Sequence, residues 1–535
     1  MFSVSTEQSV VPSSTSTKQM MEAKIINDPI WGPIELHPLC IRIIDTPQFQ
    51  RLRYIKQLGG ISFVYPGACH CRFEHSIGTS YLARSLGLEL QKNLAMLDEP
   101  NKPDITDKEI LCLEVAGLCH DLGHGPFSHL FDQLFIPKFK KPGDQTWEHE
   151  DATLHMLDSI FKIITWNDYL EDEDIKFIKD LIKKPDDKEQ KKPSPNEKPD
   201  EKEQKKPFLY EIIANGLNKI DVDKWDYFSR DCHMLGLHHN FQCKRSIKLA
   251  RVVNHGEEWH ISYPKSEYYN LFDMFYTRYT LHRQAYHHPV AKAVELMITD
   301  AFVKANKSLL FPPNQQRYNQ KTLSESKDDM RAYLWVTDDV LNQIRFLNSD
   351  NNVELEEAQQ IINRIFQRDL YKLVGEKRMK CIAGTVSPGD LKEGMEQILK
   401  SCGIRRDLFE IMVVTFNYGN GNENPLINAK WYHKVKGVKE SENGEKDGNK
   451  STLYQNIESS VIYESDAYIS DMLPKTFEQK YLRLFWKGTK SEELYYEKIK
   501  LEFSKIKTFQ DQKRNTVEFV DTILDRLPLS SNTEV

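Results

Sequence analysis

The run Leu118-Cys119-His120-Asp121-Leu122-Gly123-His124-Gly125-Pro126-Phe127-Ser128-His129 decides how this 535-residue chain is read. Three histidines and one aspartate fall within ten residues, directly after the apolar run Leu111 to Leu118. That run reads as a buried helix. A histidine and a carboxylate at the end of such a helix cost solvation free energy unless something compensates them. A metal ion does so, because neutral imidazole and carboxylate oxygen are ordinary ligands for Mn, Fe, Zn or Mg. A His-Asp dipeptide alone is weak, since chance produces it often; its place at the end of an apolar run gives it weight.

Two further segments carry matching residue types. Arg72-Phe73-Glu74-His75-Ser76-Ile77-Gly78 opens a predicted helix to about Asn93. His75 standing alone reads as a surface or capping histidine, but a second His/Asp cluster follows on another strong helix. In Ile220 to Asp231, a rotation of about 100° per residue puts Asp223, Lys224, Tyr227 and Asp231 within about 100° of arc. Trp225 and Cys232 face the other way, toward a core. Such a stripe is usually a solvated face; the flanking apolar residues argue against full exposure. Arg278, His282 and Tyr286 are spaced four apart and share a helix face. The bland reading is an aromatic-basic surface stripe, and the chemical one is a fork and neutral donors for a phosphate chain.

Composition bounds the rest. Hydrophobic residues are 39% and charged residues 28%, as in soluble globular chains. The net charge of -7 speaks against nucleic acid as an obligatory partner, while a local basic patch for single strands stays open. Nine cysteines lack CxxC spacing and read as free thiols of a reducing compartment. No apolar run approaches the ~18 residues of a membrane span, and no signal peptide is recognisable. The reading is therefore an intracellular chain, of nucleus or cytoplasm, without membrane contact.

Along the chain, residues 1–22 read as a disordered tail and residues 23–380 as one large helical domain. His37 to Leu58 has helical spacing, with a start at Thr46-Pro47 and a stop at Gln57-Leu58-Gly59-Gly60. Trp147-Glu148-His149-Glu150 opens a helix through Ile164, and Asp168 to Ile182 is another. Residues 183–207 form a Lys-, Glu- and Pro-rich insertion that cannot bury a core. Val290 to Ala305 and Val353 to Val374 are long helical patterns. Residues 381–527 read as a smaller α+β lobe, with strands at Phe409–Phe416, Ser460–Tyr463 and Lys480–Trp486, a charged loop at Val438–Thr452 and a helix at Glu492–Ile506. Residues 528–535 look frayed. The fold class is mainly α.

His75, His120-Asp121 and Asp223 sit on separate helices, which a helical bundle can converge on one ion. Four protein ligands leave positions for water and substrate. His124, His129 and His149 remain as proton donors and anchors, which with a metal is equipment for phosphoester hydrolysis.

The pattern His75, His120-Asp121, Asp223 resembles the HD phosphohydrolase superfamily. The longer runs Asp45 to Arg53, Arg72 to Ser76, Ala116 to His129 and Asp221 to Tyr227 closely resemble its SAM- and HD-domain deoxynucleoside triphosphate triphosphohydrolases, from Lys24 to about Ala305 strongly and to about Leu494 more weakly. No stretch before Lys24 is long enough for the sterile-alpha-motif domain, so the expectation is an HD-type helical domain in a short form.

The resemblance implies cleavage of a dNTP to deoxynucleoside and inorganic triphosphate, a phosphoric ester hydrolysis at the α-phosphate. It implies that His75, His120, Asp121 and Asp223 hold a divalent metal (Zn, Mn, Fe or Mg). His124, His129 and His149 would line the α-phosphate, Asp132 would orient a catalytic histidine, and His129 would protonate the leaving 5′ oxygen. Arg72, Lys224, Tyr227 and Arg278 would bind triphosphate, with His282 beside them; Gln57, Leu58, Asp231 and Tyr286 would surround the sugar and exclude a 2′-hydroxyl. The family is also activated by GTP and dNTPs that convert a dimer to a homotetramer. Lys24, Ile25, Asp45, Gln50 and Arg53 match the guanine-nucleotide site; Asn27, Val64, Tyr65, Arg245, His288 and Lys487 match the adjoining deoxynucleotide site. Pro264, Ser266, Gln284 and Pro289 stand where the family carries basic residues, and His287 replaces a glutamine, so a second activating triphosphate should bind more weakly. Antiviral depletion of dNTPs is implied by the resemblance alone. Two readings compete: another HD phosphohydrolase acting on a nucleoside monophosphate or cyclic nucleotide, and a non-catalytic nucleic-acid-binding scaffold. No metal ligand is missing, which weighs against the scaffold.

Overall fold

A computed structural model describes residues 22–99, 101–184, 206–256, 258–313, 319–379, 388–436, 452–457 and 473–505. Nearly all of the expected N-terminal tail, of the 183–207 insertion and of the Val438–Thr452 loop lie outside these residues, as do the strand at Ser460–Tyr463 and the C-terminal tail.

The chain opens with an antiparallel hairpin, β1 (Lys24–Asp28) and β2 (Gly32–Leu36). The helical stretch expected from His37 to Leu58 is broken. It divides into α1 (Pro38–Ile44) and α2 (Pro47–Gln50), then a 3₁₀ turn at Arg51–Tyr54. Thr46 caps α2 through its hydroxyl, and Pro47 follows at the first helical position, where a missing N–H costs nothing.

Two long helices come next: α3 (Arg72–Ala95), eleven residues of which past His75 still face the core, and α4 (Asp107–Cys119), which packs along it. Thr106 and Glu109 close a capping box at the start of α4. Beyond the His-Asp turn lie α5 (His149–Phe161), α6 (Asp172–Ile182) and α7 (Val222–Leu235). Helix α7 begins on the Asp221 cap and ends on Gly236, whose φ of 68° supplies the left-handed stop. Trp225 and Cys232 are buried, as the stripe on α7 required.

After α8 (Cys243–Leu249) come strands β3 (Arg251–Asn254) and β4 (Trp259–Pro264), which the sequence reading did not find. Helix α9 (Tyr268–Leu281) runs into a π-turn through Tyr286, and α10 (Pro289–Ala305) crosses the core. A two-residue pairing, β5 (Leu310–Phe311) with β6 (Lys321–Thr322), precedes α11 (Met330–Tyr333), α12 (Val340–Phe346) and α13 (Val353–Phe366). The helix expected to reach Val374 stops at Phe366. Arg368 turns left-handed at φ 61°, and Asp369 N–H donates back to Arg364 O across the end.

The next residues form β7 (Lys372–Met379), an edge of the three-stranded sheet β7-β11-β8. Strands β8 (Phe409–Asn417) and β11 (Glu478–Trp486) follow the expected positions, with α14 (Pro388–Ser401) and α15 (Glu493–Lys505) against them. This lobe has its own small core around Met395, Ile411, Leu482 and Phe503. Strands β9 (Trp431–Lys436) and β10 (Thr452–Ile457) leave it: β9 pairs parallel with β4, so the sheet runs β10-β9-β4-β3. The fold is mainly α, with a smaller α+β part. None of the described helices is long and apolar enough to cross a membrane.

Candidate active site

Three helices meet at one point. His75 stands one turn into α3, His120 and Asp121 terminate α4, and Asp223 lies in the first turn of α7. His75 Nε2 is 3.2 Å from His120 Nε2, 3.1 Å from Asp223 Oδ1 and 3.3 Å from Asp121 Oδ2. His120 Nε2 is 3.3 Å from Asp223 Oδ1 and 3.5 Å from Asp121 Oδ2. The two Nε2 atoms and Asp223 Oδ1, spaced 3.1–3.3 Å apart, can share a centre about 2 Å from each, the bond length of a first-row divalent ion to nitrogen or oxygen, and Asp121 adjoins it.

The charges ask for a cation there. Burial works against a proton on His75, but Asp121, Asp223 and Asp226 outweigh it and raise its pKa well above the usual histidine range. His120 is raised too, with burial again opposed, chiefly by Asp121 and Asp223. Asp223 is held far below the ordinary carboxylate range because His120 and His75 overcome its burial. The donor set fits a divalent ion, the ion taking the place of the shared protons.

The outer shell fixes both imidazoles. His75 Nδ1 donates to Asp226 Oδ2 at 2.8 Å and His120 Nδ1 to Gly117 O at 2.8 Å, leaving each Nε2 lone pair facing the centre. Asp226 is fully buried and also accepts from Arg230, twice at 2.9 Å, and from Trp31 Nε1 at 2.6 Å. Arg230 continues to Asp28 at 2.9 Å. A Cβ on Gly78 would lie 1.9 Å from Asp226 Oδ1, so this approach of α7 to α3 needs glycine. Sequence reasoning missed this chain. Asp226 and Arg230 were legible one and two turns along α7 from Asp223; Trp31 and Asp28, 195 and 202 residues from their partners, were not.

A second cluster adjoins the first through Asp121, whose Oδ1 is 3.3 Å from His124 Nε2. His124 stacks on His149 with ring centres 3.7 Å apart, and His129 meets His124 edge-on at 5.0 Å. Asp132 Oδ2 accepts from His149 Nδ1 at 2.9 Å and His129 Nδ1 at 3.3 Å. Burial, then Arg72 and His149, push the His124 pKa well below the usual range, so it is neutral at pH 7. His129 is more than half exposed, and the rest of the cluster is largely buried.

The expected substrate residues surround these clusters, several already engaged. Arg72, itself buried, donates to Asp121 Oδ2 at 2.6 Å and to Ser128 Oγ at 3.0 Å, so it grips a carboxylate of the candidate metal site. Lys224 pairs with Asp221 at 2.7 Å. The Tyr227 ring centre is 6.2 Å from that of His75. Arg278 is tied to Asn417, at the end of β8, by bonds of 2.7 and 2.6 Å, which brings the C-terminal lobe to the site. His282 Nδ1 is 3.3 Å from His287 Nε2. Among the residues expected at the sugar, Tyr286 donates to Asp231 Oδ2 at 2.5 Å, and His70 Nε2 sits 2.7 Å from Asp231 Oδ1. His70 was not foreseen, although it stands two residues before Arg72. Gln57 and Leu58 are buried, and Gln57 N–H donates to His70 O.

The described contacts join the expected activator residues in two pairs, Gln50 with Arg53 and Tyr65 with His288. Arg53 donates to Gln50 Oε1 at 2.7 Å and lies over the Phe73 ring, and Asp45 is exposed. Lys24, Ile25 and Asn27 lie on β1, Ile25 strongly exposed. Tyr65 donates to Gln284 O at 2.8 Å, with the His288 ring 6.1 Å away and Val64 beside it in sequence. Arg245 pairs with Glu267 and Lys487 with Asp300. No described contact joins these last two to either pair.

The HD domain model matches residues 72–231, from the first residue of α3 to Asp231 of α7, and so takes in both histidine clusters. The chain is 41% identical over 485 residues to the deoxynucleoside triphosphate triphosphohydrolase SAMHD1 of Gallus gallus, covering 87% of this chain and 72% of that one. It is 37% identical over 489 residues to SAMHD1 of Homo sapiens, covering 88% and 72%. The chain belongs to the SAMHD1 family. The membership reaches beyond animals: the SAMHD1 homolog of Dictyostelium discoideum is 33% identical over 475 residues, covering 88% of this chain and 79% of that one.

Proposed function

We propose that this SAMHD1-family chain is a metal-dependent dNTP triphosphohydrolase that releases deoxynucleoside and inorganic triphosphate. The observation that carries the reading is the convergence of His75 Nε2 and His120 Nε2, 3.2 Å apart, each 3.1–3.5 Å from carboxylate oxygens of Asp121 and Asp223, flanked by a histidine cluster and by Arg72, Lys224 and Arg278. Bound there, a divalent ion (Zn, Mn, Fe or Mg) would neutralise α-phosphate charge and lower the pKa of a water. His129, partly exposed and oriented by Asp132, donates a proton to the leaving 5′ oxygen. His124, kept neutral, and His149 supply hydrogen bonds to α-phosphate oxygens. Arg72, Lys224 and Arg278 match the charge of a triphosphate, which favours this substrate over a monophosphate or cyclic nucleotide. Tyr286 and Asp231, locked together at 2.5 Å, form a stiff wall where a 2′-hydroxyl would crowd.

GTP and dNTP activation with assembly to a homotetramer belongs to the same proposal; Asp45, Gln50 and Arg53 are residue types suited to a guanine edge. Incubating the protein with dGTP and Mn or Mg, and separating the products by ion exchange, tests the reading. Deoxyguanosine with intact triphosphate supports it. Deoxyguanosine monophosphate with pyrophosphate, or no product with any metal with or without GTP, sinks it.

A further inference from the structure

The turn that carries His129 is held from an unexpected direction. Phe127 and Ser128 both adopt left-handed backbone, with φ of 58° and 55°. Residues bearing side chains hold that conformation only where the surroundings impose it. Asp338, between α11 and α12, takes the Phe127 N–H on Oδ1 at 2.6 Å and the Lys56 N–H on Oδ2 at 2.9 Å. Its own N–H donates to Tyr54 O at 3.1 Å. Ser128 Oγ donates to Lys56 O at 2.7 Å and closes the loop. Behind the turn, a Cβ on Gly59 would come within 2.6 Å of Phe127 O, so there is no slack.

One carboxylate thus joins two backbone segments that meet substrate at different points. One carries His129 toward the leaving group; the other leads into Gln57 and Leu58 at the sugar. We propose that Asp338 is a positioning residue that fixes the proton donor relative to the sugar pocket, although it touches no reacting atom. The inference rests on the hydrolase reading. Burial pushes the Asp338 carboxyl up to about 6, against the pull of its two N–H donors, so it is ionised and a full double acceptor at neutral pH. Displacing a reacting group by about 1 Å costs on the order of 100-fold in rate.

Asp338→Asn puts an amide N–H₂ against one of the two backbone N–H groups. The expected result with dGTP is a kcat lower by about 10- to 100-fold, with KM changed less than about 3-fold and bound metal and melting temperature near those of the unaltered protein. Asp339→Asn, at the exposed neighbour, keeps full activity. Combining Asp338→Asn with Ser128→Ala, which cuts the same turn at its other tie, gives less than the product of the single losses. Should Asp338→Asn fail to fold, Asp338→Glu keeps the charge and moves the oxygens, and shows the same split with a smaller loss. Unchanged kcat in a folded variant overturns the proposal, as does a loss that tracks metal content, or failure of both variants to fold. An unaltered protein that releases no deoxyguanosine defeats the hydrolase reading itself, which is a distinguishable outcome.

Discussion

Replacing Asp226 with asparagine should weaken metal binding and the fold by separable amounts. Asp226 is fully buried, and its carboxylate takes four donors: Trp31, Arg230 twice, and His75 Nδ1. Arg230 holds its pKa down at about 2, with help from His75, despite burial. Asparagine keeps the shape and removes the charge. Breaking a buried ion pair costs about 3–5 kcal/mol. Arg230 retains Asp28 at 2.9 Å, so the expected stability loss is nearer to about 2–3 kcal/mol. The metal effect is distinct. Losing a carboxylate behind a ligating imidazole weakens metal binding about 10- to 100-fold, or roughly 1.4–2.8 kcal/mol. Titrating metal-free protein with Mn or Zn calorimetrically gives the second quantity, and urea unfolding of the metal-free protein gives the first. Metal affinity within 2-fold of the unaltered protein, in a folded variant, would refute the claim that Asp226 orients His75.

Three further outcomes follow from the same geometry. His129→Ala should lower kcat about 10²- to 10⁴-fold while metal content, measured by mass spectrometry of the dialysed protein, stays at its original level. Arg278→Ala removes a charged donor and frees Asn417; steady-state kinetics should show a KM for dGTP raised by about 10-fold or more. His287 is held to about 3 by burial and by Lys292 and Arg483. It therefore stays neutral in the folded chain while the unfolded chain takes up a proton below about pH 6.5, so stability falls as pH drops through that window. The loss reaches at most about 2 kcal/mol at pH 5, and His287→Gln should flatten the acid side of a melting-temperature profile between pH 5 and 7.5.

The site was legible where its chemistry rides on helical spacing. His120 and Asp121 end an apolar run, His75 follows a helix start, and Asp223 shares a face with Lys224 and Tyr227; each pattern is local, and the structure places all of them around one point. The residues that hold these in place were not legible, because their partners are remote. Asp226 reaches Trp31, Arg278 reaches Asn417, and Asp338 reaches Phe127 across 211 residues. The short strands β1 to β4 also escaped notice, since four to six residues of mixed polarity show too little period-two signal. The helix read to Val374 failed for a different reason. The apolar spacing runs on past Phe366, but the left-handed Arg368 ends the helix, and the following residues find a β partner in β11 that no local pattern displays. The parallel pairing of β4 with β9 joins segments some 170 residues apart and shows only in three dimensions.

Hydrolysis of dGTP in ¹⁸O-labelled water tests the central claim most directly. The account predicts that the label enters triphosphate and not the deoxyguanosine 5′-hydroxyl, that the two products form in equal amounts, and that His120→Ala abolishes both. Label in the nucleoside would place the cleavage at carbon instead of the α-phosphorus. Label in orthophosphate or pyrophosphate, or turnover undiminished in the His120→Ala protein, would contradict the assignment of the reaction to this metal site.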